Sequence, residues 1–124
     1  MEKMKFTIQG RLNGLNDYIQ ANRSNRYAGA EMKRKNEELV MLSVRKAKIK
    51  QPVKIAFKWY EKNSRRDMDN IAFAKKFILD ALVKKGVLED DGWKWVKGFT
   101  DEFFIDKKNP RIEVELETEI ESQA

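Results

Sequence analysis

Residues 111–120 alternate without a break. Ile112, Val114, Leu116, Thr118 and Ile120 fall on one side, and Arg111, Glu113, Glu115, Glu117 and Glu119 on the other. Successive side chains of an extended chain point to opposite faces, so a period of two sorts this segment into an apolar face and a charged face. A helical period of 3.6 would scramble it. The segment is therefore a strand with one buried face, and such a strand requires a sheet. Three further segments follow the same rule. Met4, Phe6 and Ile8 alternate with Lys5, Thr7 and Gln9, and Val53, Ile55, Phe57 and Trp59 with Lys54, Ala56 and Lys58. A longer one runs through Trp93, Trp95, Phe99, Phe103 and Ile105, interrupted by Lys97 and Asp101. Gly98 is the expected position of a bulge in it. Asn109-Pro110 is the expected turn joining this strand to the last as an antiparallel pair.

Two segments carry helical spacing. Residues 29–48 place Leu39, Val40, Leu42, Val44 and Ala47 among many charges. Residues 70–85 place Ile71, Ala74, Phe77, Ile78, Ala81 and Leu82 on one stripe. Asp69 or Asn70 is the expected cap at the start of this second helix, and Gly86 its end. The expected fold is α+β, a single mixed or antiparallel sheet of about four strands in the order β-α-β-α-β-β with helices packed on it. It forms one domain over residues 1–124, with a frayed tail at residues 121–124. Trp59, Trp93, Trp95, Phe99 and Phe103 are expected on strand faces, as core or as the contact between two copies. The ladder of Glu113, Glu115, Glu117 and Glu119 is expected to be the solvent face of an edge strand, with Glu113 a minor alternative as a metal ligand.

Charge narrows the partners. Residues 1–100 carry 23 Lys/Arg against 12 Asp/Glu, and residues 101–124 carry 3 against 8. A basic body with an acidic end favours a polyanion, most simply nucleic acid. The chain has neither cysteine nor histidine, which removes disulfides, zinc ribbons, thiol nucleophiles and imidazole bases. Catalysis, if present, runs on carboxylates, lysines and bound metal, with no small-molecule cofactor. No apolar run approaches the roughly 20 residues of a membrane span. The opening Met1-Glu2-Lys3-Met4-Lys5 lacks the apolar core of a signal peptide, so a cytoplasmic location is expected.

Two acidic clusters interrupt this basic chain: Arg65-Arg66-Asp67-Met68-Asp69-Asn70 and Glu89-Asp90-Asp91. Carboxylates kept among cations suit hard divalent ions held against a phosphate backbone. On an extended backbone Asp67 and Asp69 project to the same side and converge on one ion. Arg65 and Arg66 keep them ionised and touch phosphate. The bland alternative is a helix cap flanked by solvated arginines, with Glu89-Asp90-Asp91 a polar turn. An EF-hand is excluded, because Ile71 holds the third ligand position and no glutamate stands at the twelfth. A helix of about 15 residues is ~22 Å long. The clusters therefore meet either by a loop folding back along the helix or across an interface between two copies. Residues 10–28 form a polar connection interleaving Arg11, Arg23 and Arg26 with Tyr18 and Tyr27. It is either a phosphate- and base-gripping element or an ordinary surface loop.

The run Arg65-Arg66-Asp67-Met68-Asp69-Asn70, the helix ending in Leu79-Asp80-Ala81-Leu82, and Gly86-Val87-Leu88-Glu89-Asp90-Asp91 together resemble the RusA family of Holliday-junction resolvases. The opening strand followed by Leu12-Asn13-Gly14-Leu15-Asn16 fits as well. The resemblance implies a homodimeric, Mg²⁺-dependent endonuclease that cuts branched DNA in recombination and repair. By position it makes Asp67, Asp69 and Asp91 the catalytic metal ligands, with Asp90 and Asn70 accessory. Arg65, Arg66, Lys75, Arg23 and Arg26 are the expected DNA contacts. The family pattern has a lysine four residues after its second aspartate, where this chain has Phe73. Aligning Leu79-Asp80-Ala81-Leu82 requires three extra residues, and Lys76 then takes that lysine's place, with Lys75 as the rival. The alternatives are a non-catalytic nucleic-acid-binding module and a nuclease acting on flaps or forks.

Overall fold

A computed structural model describes residues 2–118. The elements in chain order are β1 (Lys3–Gln9), α1 (Leu15–Ser24), α2 (Ala28–Ser43), β2 (Val53–Glu61), α3 (Met68–Ala72), α4 (Lys75–Lys84), β3 (Val96–Ile105) and β4 (Arg111–Thr118). They form an α+β fold with one open, mixed four-stranded sheet in the order β1-β4-β2-β3. The strand face carrying Met4, Phe6, Ile8, Val53, Ile55, Phe57, Trp59, Ile112, Val114 and Leu116 is buried, and the helices lie on it. The stripe expected on the second helix is buried in full: Ile71, Ala74, Phe77, Ile78, Ala81 and Leu82.

The pairing corrects the expected hairpin. β4 is antiparallel to both β1 and β2, while β3 pairs with β2 in parallel, so β2 stands between the strands that Asn109-Pro110 joins. The connection crosses the end of β2, where Asp106 N–H donates to Glu61 O at 2.7 Å. Hydrophobicity decides the order. Ile112, Val114 and Leu116 are each at most 2% exposed and need cover from strands on both sides, whereas β3 is exposed along most of its length. β4 is therefore central, and its acidic row does not line an edge. Glu113, Glu115 and Glu117 occupy the open face opposite Thr7, Lys5 and Lys3 of β1 and Lys58, Ala56 and Lys54 of β2. Cross-strand charge pairs stabilise such a row. Glu119, Ile120 and the tail lie outside the described residues.

Other boundaries differ in smaller ways. Residues 10–28 contain α1 rather than a continuous loop, and α2 ends at Ser43 rather than at 48. The second expected helix breaks at Phe73-Ala74. There Ala74 N–H donates to Ile71 O at 3.2 Å and Lys76 N–H to Phe73 O at 3.0 Å, tightened bonds that separate α3 from α4. Gly86 ends α4 as expected, at φ 80°. Gly86 N–H bonds Val83 O and Val87 N–H bonds Leu82 O, a Schellman cap. The register shifts between Val53↔Val96 and Lys54↔Gly98, a bulge beside the glycine expected to mark one. Trp93 precedes β3 in a turn and is 94% exposed, so it belongs neither to a strand nor to the core.

Candidate active site

The segment from the end of β2 to α3 carries the first acidic cluster, and the chain holds it from two sides. Glu61, the last residue of β2, points into the buried layer, and a buried carboxylate needs a counter-charge. Arg66 supplies it. Its Nε and Nη2 donate to the two Glu61 oxygens at 2.9 Å each, and Nη1 donates to Leu12 O at 3.1 Å. Arg66 is thus an internal brace, not the phosphate contact expected of it. Arg65 points to solvent, fixed through its backbone N–H to Asn63 Oδ1 at 3.1 Å.

Asn70 is the second anchor. It is buried, and its Oδ1 accepts the Asn16 N–H at 2.8 Å, so it caps α1 rather than its own helix. Asn13 and Asn36 complete the joint. Asn13 N–H donates to Asn36 Oδ1 at 2.9 Å, and Asn36 Nδ2 donates to Asn13 Oδ1 at 2.9 Å. Leu12-Asn13-Gly14-Leu15-Asn16 is therefore a cradle for the acidic segment. Glu61 and Asn36 in this frame escape sequence reading, because a polar side chain in a strand or helix gives no sign of whether it is buried.

Asp67 is the extended residue at the N-cap of α3, at φ −70° and ψ 155°, and Asp69 lies in the first helical turn. The extended backbone that would align both carboxylates is present at Asp67 alone. Both side chains are exposed, and Asp69 Oδ1 accepts the Asn70 N–H at 3.0 Å. Two exposed carboxylates suit a hard octahedral cation whose other positions go to water and phosphate oxygens.

Asp91 stands at the other end of the molecule. Leu88 N–H donates to Leu82 O at 3.3 Å, tying that residue to the C-terminus of α4. Farther on, Trp95 N–H and Val96 N–H donate to Gly92 O, and Val53 N–H donates to Trp95 O at 2.9 Å. Both anchors hold Asp91 where β2 begins, whereas Asp67 follows the end where β2 finishes, roughly 26 Å away along the strand. Among the described residues no group of three or more acidic side chains is placed to share a metal ion. The chain thus presents Asp67 and Asp69 together and Asp91 apart, with Glu89 and Asp90 exposed beside it.

The two candidate lysines are separated by environment. Lys75 Nζ lies 2.7 Å from Asp101 Oδ2 and over the rings of Phe57 and Phe99, with 18% of its side chain exposed. Lys76 is 60% exposed, with Nζ 3.6 Å from Asp80 Oδ2 one turn on. Asp80 also accepts Lys33 at 3.1 Å. Glu37 first, and then Asp80, hold the Lys33 ammonium above its ordinary pKa range. Lys76 therefore keeps a mobile cation at the surface and Lys75 does not. Arg23, in the last turn of α1, is exposed, while Arg26 stacks on Tyr27 with its guanidinium 4.9 Å from the ring centre. Tyr18 turns inward to Phe73 and Phe77, which anchors α1 on the break between α3 and α4.

Most acids outside the two clusters are paired: Glu31, Glu37, Glu38, Glu61, Asp80, Asp101, Asp106, Glu113 and Glu115 each lie within 4.0 Å of a lysine or arginine nitrogen. Among the described residues all five cluster acids, Asp67, Asp69, Glu89, Asp90 and Asp91, form no salt bridge, as do the scattered Glu2, Asp17 and Glu102, although the chain carries six net positive charges. The arginines beside the first cluster do not neutralise it. No described helix is long and apolar enough to cross a membrane. A search of curated proteins finds no match. The family model for the endodeoxyribonuclease RusA matches residues 15–117, from the start of α1 nearly to the end of β4. That span takes in both acidic clusters, the two helices between them and the strands β2 and β3, and the chain belongs to the RusA family of endodeoxyribonucleases.

Proposed function

We propose that the protein is a homodimeric, Mg²⁺-dependent endonuclease that resolves four-way DNA junctions in recombination and repair, working in the cytoplasm. Asp67, Asp69 and Asp91 are the metal-ligating carboxylates, and Asp90 is an accessory acid. The observation that carries this reading is the charge imbalance just described. A strongly basic chain leaves the acids of these two clusters without counter-cations while pairing most of the others. Exposed carboxylates left unneutralised beside cationic surface repel phosphate unless a divalent ion bridges them.

A bound Mg²⁺ supplies Lewis acidity toward a phosphate oxygen and a water acidic enough to attack near neutral pH, which suits a chain without histidine. The protein's own part is positional. The braces at Arg66–Glu61 and Asn70–Asn16 hold Asp67 and Asp69 at the start of α3. Lys76 reaches the surface with a mobile ammonium that offsets charge building on the phosphoryl oxygens. Arg65 and Arg23 present exposed cations to the backbone, so selectivity comes from the shape and spacing of the junction's arms rather than from base edges.

The test is cleavage of a synthetic four-way junction with Mg²⁺ titrated from zero, run beside a binding assay in Ca²⁺. The expected result is Mg²⁺-dependent nicking by the wild type and none by Asp69→Asn, with binding kept by both. Salt-sensitive binding without cutting at any Mg²⁺ concentration would instead identify a non-catalytic junction binder. Faster cutting of flaps or forks at equal enzyme concentration would move the substrate.

A further inference from the structure

Between α2 and β2 the chain runs through residues 44–52 without regular structure, yet it sorts its side chains into two sets. Val44 is buried, and Ala47 and Ile49 pack against the core. Arg45, Lys46, Lys48 and Lys50 are exposed. Among the described residues none of these four cations takes part in an ion pair, whereas Lys33, Lys75, Lys84, Arg66 and Arg111 all do. The segment is a strap with its apolar residues seated and its cations turned out.

The strap is fastened at both ends. Lys85 Nζ, just past α4, donates to Met41 O at 2.6 Å and also to Val44 O. Ile49 N–H donates to Val87 O at 2.8 Å, and Val53 N–H donates to Trp95 O at 2.9 Å. The last two bonds bracket Lys50 on one side and Glu89-Asp90-Asp91 on the other. One clasp therefore holds the end of the cationic row and the second acidic cluster, and neither neutralises the other. A ligand that carries phosphates and accepts a metal ion suits both sets of charge at once.

The row also says which form of phosphate chain it fits. Residues 45–52 include no aromatic side chain, so the strap has nothing on which an unpaired base would stack. Six residues reach at most ~20 Å when extended. Five base pairs of duplex rise about 17 Å, with a phosphate every ~3.4 Å on each strand.

We propose that residues 45–50 grip the phosphates of a duplex arm beside Asp91, and so make about five base pairs of intact duplex there a condition of tight binding. The inference rests on the nuclease reading for which phosphate lies at Asp91, but the grip itself does not require cutting. The strap also offsets the repulsion between backbone and acids while leaving those acids charged for a metal ion.

Junction binding in Ca²⁺ against salt tests the grip. Lys48→Gln and Lys50→Gln, made together, are compared with Lys107→Gln and Lys108→Gln, which remove the same charge from exposed positions after β3, at the opposite end of the sheet. The strap pair should make the slope of log affinity against log salt shallower by about 1.8 and weaken binding about tenfold or more near 0.1 M salt, and the pair after β3 should leave the slope unchanged. Lys48→Arg with Lys50→Arg should keep the wild-type slope. On a junction whose arms are cut to about three base pairs and closed by hairpin loops, the wild type should lose affinity and the strap variant should lose little more. Equal slopes for the two glutamine pairs overturn the proposal, as does equal loss by wild type and strap variant when the arms are shortened. A wild type that binds as expected but cuts nothing in Mg²⁺ overturns the nuclease reading alone, and the salt slopes still decide the grip.

Discussion

The side chain of Asn70, on α3, accepts the backbone N–H of Asn16, in the first turn of α1, at 2.8 Å, and Gly14 makes the approach possible. A Cβ added at Gly14 would stand 2.6 Å from Asn70 Oδ1 and 2.7 Å from Asn70 O. The second contact is to backbone and cannot swing aside. Gly14→Ala should therefore push the segment carrying Asp67 and Asp69 off its seat, at a cost of about 2–4 kcal/mol. Asn70→Ala removes the cap without the clash and should cost about 1–2 kcal/mol. Urea denaturation of both variants checks the order, and Asn70→Asp, which keeps an acceptor at Oδ1, should lie closest to wild type.

Arg66 and Glu61 make a second brace in drier surroundings, with 13% and 7% of their side chains exposed. Removing one partner strands the other. Arg66→Ala leaves the Glu61 carboxylate buried without a counter-charge and should lose about 3–5 kcal/mol. The double variant Glu61→Gln, Arg66→Met has no stranded charge and should be more stable than Arg66→Ala. A double variant as unstable as the single would mean that the Leu12 carbonyl contact, and not the ion pair, holds the segment.

Lys75 and Lys76 adjoin in sequence, yet their substitutions should fail in different ways. Lys75→Ala strips Asp101 of its ion pair beneath Phe99 and should cost about 1–2 kcal/mol in stability. Lys76→Ala breaks an exposed one-turn contact to Asp80 and should change stability by less than about 0.5 kcal/mol. Its effect should fall on chemistry, with single-turnover junction cleavage slowed about 10²-fold and binding retained. Equal cleavage by Lys76→Ala and wild type would remove Lys76 from the site.

Asp106 provides a pH test in the connection from β3 to β4. The Arg111 guanidinium donates to its carboxylate at 2.9 Å, and the Asn109 N–H donates at 3.1 Å, holding the carboxyl below its ordinary range. A carboxyl whose pKa is depressed by folding contributes stability that is present above the unfolded value, near pH 3.9, and is lost as pH falls through the folded value. Asp106→Asn should therefore be less stable than wild type at pH 7, with the difference shrinking steadily below about pH 4. A gap that stays constant from pH 7 to pH 2 would place the effect outside this titration.

What the sequence reveals here follows from where the information is local. Alternation in 111–118 and the stripe from Ile71 to Leu82 depend on near neighbours, and both match the buried faces. Strand order is not local. Asn109-Pro110 predicts a reversal of direction correctly, but nothing in the turn says that β2 lies between the strands it joins. The order follows from comparing whole strands, since β4 buries its apolar row almost completely and β3 does not. The roles of Arg66 and Asn70 were hidden for a related reason. An arginine or asparagine in an acidic run suggests solvent or ligand, and its true partners, Glu61 and the backbone at Leu12 and Asn16, are distant or belong to another element.

The split between paired and unpaired acids yields a double dissociation. Acids without cation partners contribute little to folding and should be spared for chemistry, while paired acids should do the reverse. Asp67→Asn, Asp69→Asn and Asp91→Asn should each keep wild-type stability, or gain slightly from reduced local repulsion, and lose junction cleavage by at least about 10²-fold. Their junction binding without divalent ions should be equal or tighter, because a negative charge near phosphate is gone. Asp101→Asn weakens the contact to Lys75 and should lower the denaturation midpoint while leaving cleavage nearly intact at temperatures where the variant is folded. Thermal unfolding and cleavage measured on the same four preparations decide it. If Asp91→Asn destabilises the protein as much as Asp101→Asn while cutting at the wild-type rate, Asp91 is a structural acid. The site would then be reduced to the pair at the start of α3.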